Sequence, residues 1–137
     1  MARLGMKTIF VNGTFDILHR GHLEMLEYAA SMGEHLLIAL DTDRRVKELK
    51  GSSRPVNNQA DRVYMMYRIK GVKSVMLFDT DEELERLIKI TQPDVMVKGS
   101  DWRGKPIIGE QYCKEIKFYE RVGDYSTTNI IQHITDR

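Results

Sequence analysis

The sequence predicts an α/β domain: a five-stranded parallel sheet with helices on both faces. Three observations carry that prediction. Short apolar runs rich in β-branched residues recur along the chain, separated by stretches whose apolar residues fall at helical spacing. The runs are apolar throughout instead of alternating, which marks strands covered on both sides. Strand-like and helix-like segments follow one another singly, so the strands pair in parallel through right-handed crossovers. At 137 residues the chain suits a single domain, 1–137, with a core of its own.

Thr8 to Val11 predicts the first strand, stopped by Asn12-Gly13. From Gly21 to Met32, Leu23, Leu26, Ala29 and Ala30 recur at helical spacing, and Gly33 stands where a left-handed cap would close the helix. His35 to Leu40 predicts the second strand. Thr42 to Pro55 is polar and basic and reads partly as loop. Asn57 or Asn58 caps a helix to about Lys70 with Val63, Met66 and Ile69 inward, and Gly71 closes it. Ser74 to Phe78 follows as strand three. Thr80 with Glu83 forms a capping box for a helix to about Ile90, ahead of Pro93. Asp94 to Val97 is strand four, Gly99 to Gly109 a long loop, Glu110 to Lys114 a helical turn and Ile116 to Tyr119 strand five. Ser126 caps a last helix, Thr128 to Ile134. Together these describe a Rossmann-like architecture, in which ligands bind outside the carboxyl ends of the strands. That rule selects Asn12–Asp16, Asp41–Arg45, Phe78–Asp81, Lys98–Arg103 and Glu120–Thr127 before any motif is considered.

Composition excludes several function classes. With 21 Lys plus Arg against 20 Asp plus Glu, the formal net charge is +1, so no global field draws the chain to nucleic acid or an acidic membrane. Any anion site must be local. The longest apolar run, Leu36 to Leu40, is far short of a membrane span, and no secretory leader pattern opens the chain. One cysteine, Cys113, makes neither an internal disulfide nor a cysteine metal cluster. A cytoplasmic location is the expectation.

The first loop carries the chemistry: Gly13-Thr14-Phe15-Asp16-Ile17-Leu18-His19-Arg20-Gly21-His22. Two imidazoles three apart at a helix start, with a glycine between them, suit a polyphosphate. Backbone N–H groups at a helix N-terminus attract anions, glycine lets the backbone approach closely, and imidazoles donate to oxygens that gain charge in a transition state. The same spacing can ligate a metal, but no Cys, third His or carboxylate is predicted nearby, and no metal ligand is assigned.

The histidine motif in this context resembles the nucleotidyltransferase superfamily, in its cytidylyltransferase-like branch. Members carry G-T-F-D and H-x-G-H after the first strand, here Gly13 to Asp16 and His19 to His22. Within that branch the chain is similar to the adenylyltransferases that make ADP-heptose for lipopolysaccharide, through Leu49–Asn57, Pro93–Trp102 and Ser126–Ile131. The resemblance implies attack by a sugar phosphate oxygen on the α-phosphorus of ATP, with Mg²⁺ carried by the triphosphate, release of pyrophosphate, and a homodimer. It implies catalytic roles for His19, His22 and Lys47, with Arg62 on the acceptor phosphate. It places Gly13, Thr14, Phe15, Asp16, Gly21, Lys98, Gly99, Asp101, Trp102, Arg121, Ser126 and Thr127 around the nucleotide, and Asp41, Lys50 and Arg54 around the acceptor. Arg121 to Thr128 is also similar to the R-T-x-G-I-S-T-T motif of glycerol-3-phosphate cytidylyltransferases, with Asp124 in place of its glycine. The alternatives are therefore CTP with glycerol 3-phosphate or another polyol phosphate, an FAD synthetase, and a nucleotide-binding module without turnover.

Each of these residues also has a plain structural reading. Lys47, Lys50 and Arg54 lie in a polar stretch where a solvated charge is usual. Ser126 caps a helix in any protein, Asp16 and Asp41 can cap turns, and Trp102 can cover a sheet edge. Tyr64 to Tyr67 reads as a helix face packing in the core or at a subunit contact, and Cys113 is expected to be buried and inert.

Overall fold

The computed structural model describes residues 6–120, 123 and 126–136. Its sheet is five-stranded, parallel and ordered β3-β2-β1-β4-β5, with β1 (Thr8–Gly13) at the centre, flanked by β2 (His35–Asp41) and β4 (Val95–Gly99). The edges are β3 (Val72–Phe78) and β5 (Glu115–Tyr119). The chain is Rossmann-like, as the alternation of apolar runs and helical stretches predicts. Sequential strands run outward from β1 to β3, then return to β4 on the other side of β1. The order therefore reverses between β1 and β4, and the crevice at their carboxyl ends is where such sheets take ligands.

Alternation along β1 divides the core. Ile9 and Val11 point to a cluster with Leu26 and Ala29 of α1 (Arg20–Ala30) and Met66 of α3 (Gln59–Met66). Phe10 points the other way, to Leu84 and Ile88 of α4 (Asp81–Thr91) and to Ile107, which plugs the second face from the long loop. The Asp94 carboxylate accepts a 2.8 Å hydrogen bond from the Thr8 N–H, joining the starts of β1 and β4. This bond holds its acid below the usual carboxylate range. On edge strand β3 the Tyr67 hydroxyl accepts from Val75 N–H at 3.2 Å, occupying a donor that would otherwise face another chain.

Several local expectations are corrected. Asp43–Lys50 is a helix, α2, where the polar stretch reads partly as loop. Thr42 caps it by accepting from Arg45 N–H, and Gly51 closes it at φ 103°, a conformation that suits glycine. Only Val46 on α2 is buried, so hydrophobic period carries little signal there. Helix α3 stops at Met66 instead of Lys70, and Leu23 on α1 is exposed. In the α4 cap Thr80 accepts from Glu83 N–H as the box requires, but Glu83 reaches back to Asp79 N–H. Gly33 is not a left-handed cap, since α1 ends at Ala30 with right-handed Ser31 beyond. The reason for glycine there is contact: a Cβ at position 33 would stand 2.7 Å from the Lys7 carbonyl oxygen. Gly33→Ala must push the backbone at the start of β1 and is expected to cost about 1–3 kcal/mol, read as a lower urea midpoint. An unchanged midpoint would mean that this approach is not tight.

Candidate functional site

An open cavity of ≈ 540 Å³ lies over the carboxyl ends of β1, β2 and β4. The N-terminus of α1 borders it through His19, Gly21 and His22, and that of α5 (Thr127–Thr135) through Ser126, Thr127 and Thr128. The Thr127 hydroxyl donates to the Ile17 carbonyl at 3.0 Å, tying the start of α5 to the loop that leads into α1. Two helix N-termini, each carrying partial positive charge, thus converge on one space.

The histidine pair is a reciprocal cap. His19 Nδ1 accepts from His22 N–H at 3.3 Å and His22 Nδ1 accepts from His19 N–H at 3.2 Å. The rings stack with centroids 3.7 Å apart and planes 17° from parallel. A ring nitrogen that accepts from a backbone N–H carries no proton, so in each neutral ring the proton sits on Nε2. Phe15 supports them, its ring packed edge-on against His22 at 5.1 Å. Its backbone is left-handed at φ 48°, an uncommon state for a bulky residue. Gly13 makes room for that ring, since a Cβ at position 13 would stand 3.0 Å from Phe15 Cε2.

Two lysines bring charge to the cavity. Lys98, at the end of β4, donates from Nζ to Asn12 Oδ1 at 3.1 Å and lies 4.8 Å from the centroid of the Trp102 ring. Burial pushes its pKa down, opposed by Asp41 and Asp101. Lys50, at the end of α2, is lowered by crowding from the surrounding protein and by the Arg54 cation. Neither makes a salt bridge among the described residues. Asp41 also lines the cavity, with Thr14 donating to its Oδ2 at 3.0 Å.

Four of the residues singled out in the sequence do not line this cavity. Arg62 is fully buried. Its Nε donates to Asn57 O at 3.0 Å, its Nη1 to Thr14 O and Asp41 O at 3.1 and 2.8 Å, and its Nη2 to Asp43 Oδ1 at 2.9 Å. It holds the site's walls instead of a ligand. Asp16 is equally buried: Val56 and Asn57 N–H donate to its two oxygens at 2.8 Å each, and Arg54 Nε at 3.2 Å. It clamps the segment after α2. Arg54 is turned inward by that pairing, with its Nη2 buried and without a hydrogen-bond partner among the described residues. Lys47 donates to Arg54 O at 3.1 Å on the exposed side of α2. Helical phase explains its place: Lys50 follows Val46 by four residues and, though exposed, borders the cavity from that side of α2, which Lys47 does not. Gly99, Asp101 and Trp102 line the β4 side of the cavity, and Arg121 and Asp124 lie outside the described residues. Cys113 is half-buried, and burial raises its thiol to about 11, which leaves it protonated and unreactive near neutrality.

The family model described as cytidylyltransferase-like matches residues 10–133. The chain belongs to the cytidylyltransferase-like family. The bifunctional protein HldE of Campylobacter fetus is 46% identical over 132 residues, which cover 96% of this chain and 29% of that protein. HldE of Helicobacter pylori is 40% identical over 128 residues, 93% of this chain and 27% of that one. This cytidylyltransferase-like chain thus spans under a third of the length of the relatives it matches. Among solved structures, a lipopolysaccharide core biosynthesis protein from Thermoplasma volcanium superposes with TM-score 0.66 at 21% identity, over 89% of this chain and 100% of that one. A pantothenate synthetase from Thermus thermophilus gives TM-score 0.65 at 15% identity, over 90% and 61%. At those identities the likeness is one of fold.

The sequence motifs give no role to Asn12 or Arg45. Asn12 holds Lys98, and Arg45 donates to Asp41 Oδ1 at 2.8 Å. Both fall in the strand-end segments the topology rule selects, which was the available signal. The Arg62 clamp yields a direct expectation. Arg62→Met leaves the buried Asp41 carbonyl, the part-buried carbonyls of Thr14 and Asn57, and Asp43 without this donor and should cost about 3 kcal/mol or more, measured by denaturant unfolding. A loss under about 1 kcal/mol would show that the clamp is dispensable.

Proposed function

We propose that this chain is a nucleotidyltransferase that moves adenylate from ATP to a heptose 1-phosphate, releasing pyrophosphate and forming an ADP-sugar. One observation carries the reading: the N-termini of α1 and α5 and the ammonium groups of Lys50 and Lys98 meet in one cavity at the β1–β4 reversal. Such a constellation suits a polyanion and offers little to a neutral ligand. Kinship with the HldE proteins supports the choice of substrates. The proposal includes one domain over 1–137, a homodimer, and work in the cytoplasm. Among the described residues no helix is long and apolar enough to cross a membrane.

In this reading the triphosphate lies along the two helix N-termini, with Ser126 and Thr127 at its β- and γ-phosphates and Trp102 available to the base. An oxygen of the acceptor phosphate attacks the α-phosphorus while the bond to the β-phosphate breaks, and pyrophosphate leaves. The acceptor is already ionised, so no strong base is required and the protein's work is alignment and charge stabilisation. The Nε2–H groups of His19 and His22 donate to α-phosphate oxygens as charge builds there. Lys50 meets the acceptor phosphate and Lys98 lies on the nucleotide side.

Mg²⁺ fits this donor set as a companion of the triphosphate, since it prefers to keep waters and to bind through phosphates with one or two carboxylates. Asp101, at the β4 side of the cavity, would take its waters, whereas the Asp16 carboxylate is already committed to its clamp. When bound it supplies neutralisation of phosphate charge.

Pyrophosphate release should be seen with ATP and a heptose 1-phosphate, and should exceed that with CTP and glycerol 3-phosphate. The reverse preference would transfer the assignment to the polyol cytidylyltransferases that the Arg121–Thr128 string resembles, with the chemistry intact. His19 separates capping from catalysis. His19→Ala should lose about 1 kcal/mol of stability with the cap, whereas His19→Asn should keep most of it. Both should lower turnover by about 100-fold or more. An active Asn variant would reduce His19 to a cap.

A further inference from the structure

The acceptor side of the cavity contains a group that a phosphate cannot meet. Asp41 ends β2 with its side chain 11% exposed, in a space that must take two polyanions. A carboxylate there repels any phosphate it touches, so its partner must be a neutral donor or a cation. Its geometry favours one kind of donor. Oδ1 already accepts from Arg45 Nε at 2.8 Å, and Oδ2 from Thr14 Oγ1 at 3.0 Å. These bonds fix the carboxylate plane and leave acceptor capacity on both oxygens. Two adjacent hydroxyls on one molecule can fill both at once. The position decides whose hydroxyls they are. Asp41 lies on the β2 side of β1, whereas Trp102, Ser126 and Thr127 lie on the β4 and α5 side, where the nucleotide is placed.

Arg45 is itself held on several sides. Its Nη2 donates to Asp81 Oδ1 at the start of α4 at 2.7 Å, its guanidinium lies 5.1 Å from the centroid of the Phe78 ring, and its own N–H is capped by Thr42. A guanidinium that spans two carboxylates in its fixed fork has little freedom to swing, and it transmits that rigidity to Asp41.

We propose that Asp41 is the acceptor-specificity residue, reading a vicinal diol of the sugar phosphate, and that Arg45 is the positioning residue that orients it. This inference rests on the nucleotidyltransferase reading and adds to it which part of the acceptor is recognised and by what. Asp41 also faces Lys50 and Lys98 electrostatically, so its loss alters rates for more than one reason. Discrimination between acceptors is therefore the informative quantity.

The test compares kcat/KM for a heptose 1-phosphate and its 2-deoxy and 3-deoxy analogues at saturating ATP. The wild type should disfavour at least one analogue by about 10- to 100-fold, the range of a charge-assisted hydrogen bond. In Asp41→Asn that preference should fall to within about threefold, because the amide nitrogen cannot accept. Arg45→Ala should raise the acceptor KM by about tenfold with the ATP KM unchanged, and Arg45→Lys should not restore it because the fork is lost. Asp81→Ala, which removes the second carboxylate that holds Arg45, should also raise the acceptor KM with the ATP KM unchanged and serves should Arg45→Ala fail to fold. Full discrimination in Asp41→Asn overturns the assignment of Asp41 while leaving the reaction intact. An ATP KM that rises as much as the acceptor KM in Arg45→Ala overturns the positioning role. A wild type inactive with every sugar 1-phosphate overturns the underlying reading and this inference with it.

Discussion

The buried guanidinium of Arg62 is the interaction on which the rest of the site depends. It joins the loop after β1 through Thr14, the end of β2 through Asp41, the start of α2 through Asp43 and the approach to α3 through Asn57. A charge with no exposure is costly unless its donors are matched, and here four are met by three carbonyls and a carboxylate. These carbonyls belong to strand ends and loops. Asp16 repeats the device with opposite charge, gathering the N–H groups of Val56 and Asn57. Between them the two clamps turn four loop segments into a rigid rim. A transfer reaction that works by alignment needs such a rim more than it needs reactive side chains.

Sheet order then decides how the cavity is shared. Reversal between β1 and β4 opens a crevice that the two helix N-termini border, and the strand ends on either side differ in chemistry. On the β4 side are Lys98 and Trp102; on the β2 side are Asp41 and, through α2, Lys50. In the proposed reaction this division gives each substrate its own half, with the histidine pair between them. Because the two imidazoles fix each other's tautomers through backbone donors, the donors offered to phosphate are set before any ligand arrives.

Much of this was legible in the sequence, and the exceptions have physical causes. The inner strands β1, β2 and β4 announce themselves because they are apolar on both faces, whereas edge strands β3 and β5 expose Lys73 and Glu115; the strand-end rule selects four segments that contribute to the cavity and one, Phe78–Asp81, that does not. Helix α2 escapes because a helix that buries only Val46 has almost no hydrophobic period. Missing it hides the helical phase that favours Lys50 over Lys47. Arg62, Asp16 and Arg54 look like ligand-binding residues because charge in a motif suggests a ligand. Their burial is a product of tertiary folding, and sequence gives no sign of it. Strand order was beyond reach for the same reason, so the contact of Asn12 with Lys98 and that of Arg45 with Asp41 could not be read.

In the proposed reaction an oxygen of the acceptor phosphate attacks the α-phosphorus and becomes the bridge between the two phosphorus atoms of the ADP-sugar. ³¹P NMR of the reaction with a heptose 1-phosphate ¹⁸O-labelled in its phosphate tests it most directly. The expected product has one labelled oxygen bridging its two phosphorus atoms, and the pyrophosphate is free of label. Label in the pyrophosphate, or an ADP-sugar bridged only by unlabelled oxygen, would contradict it.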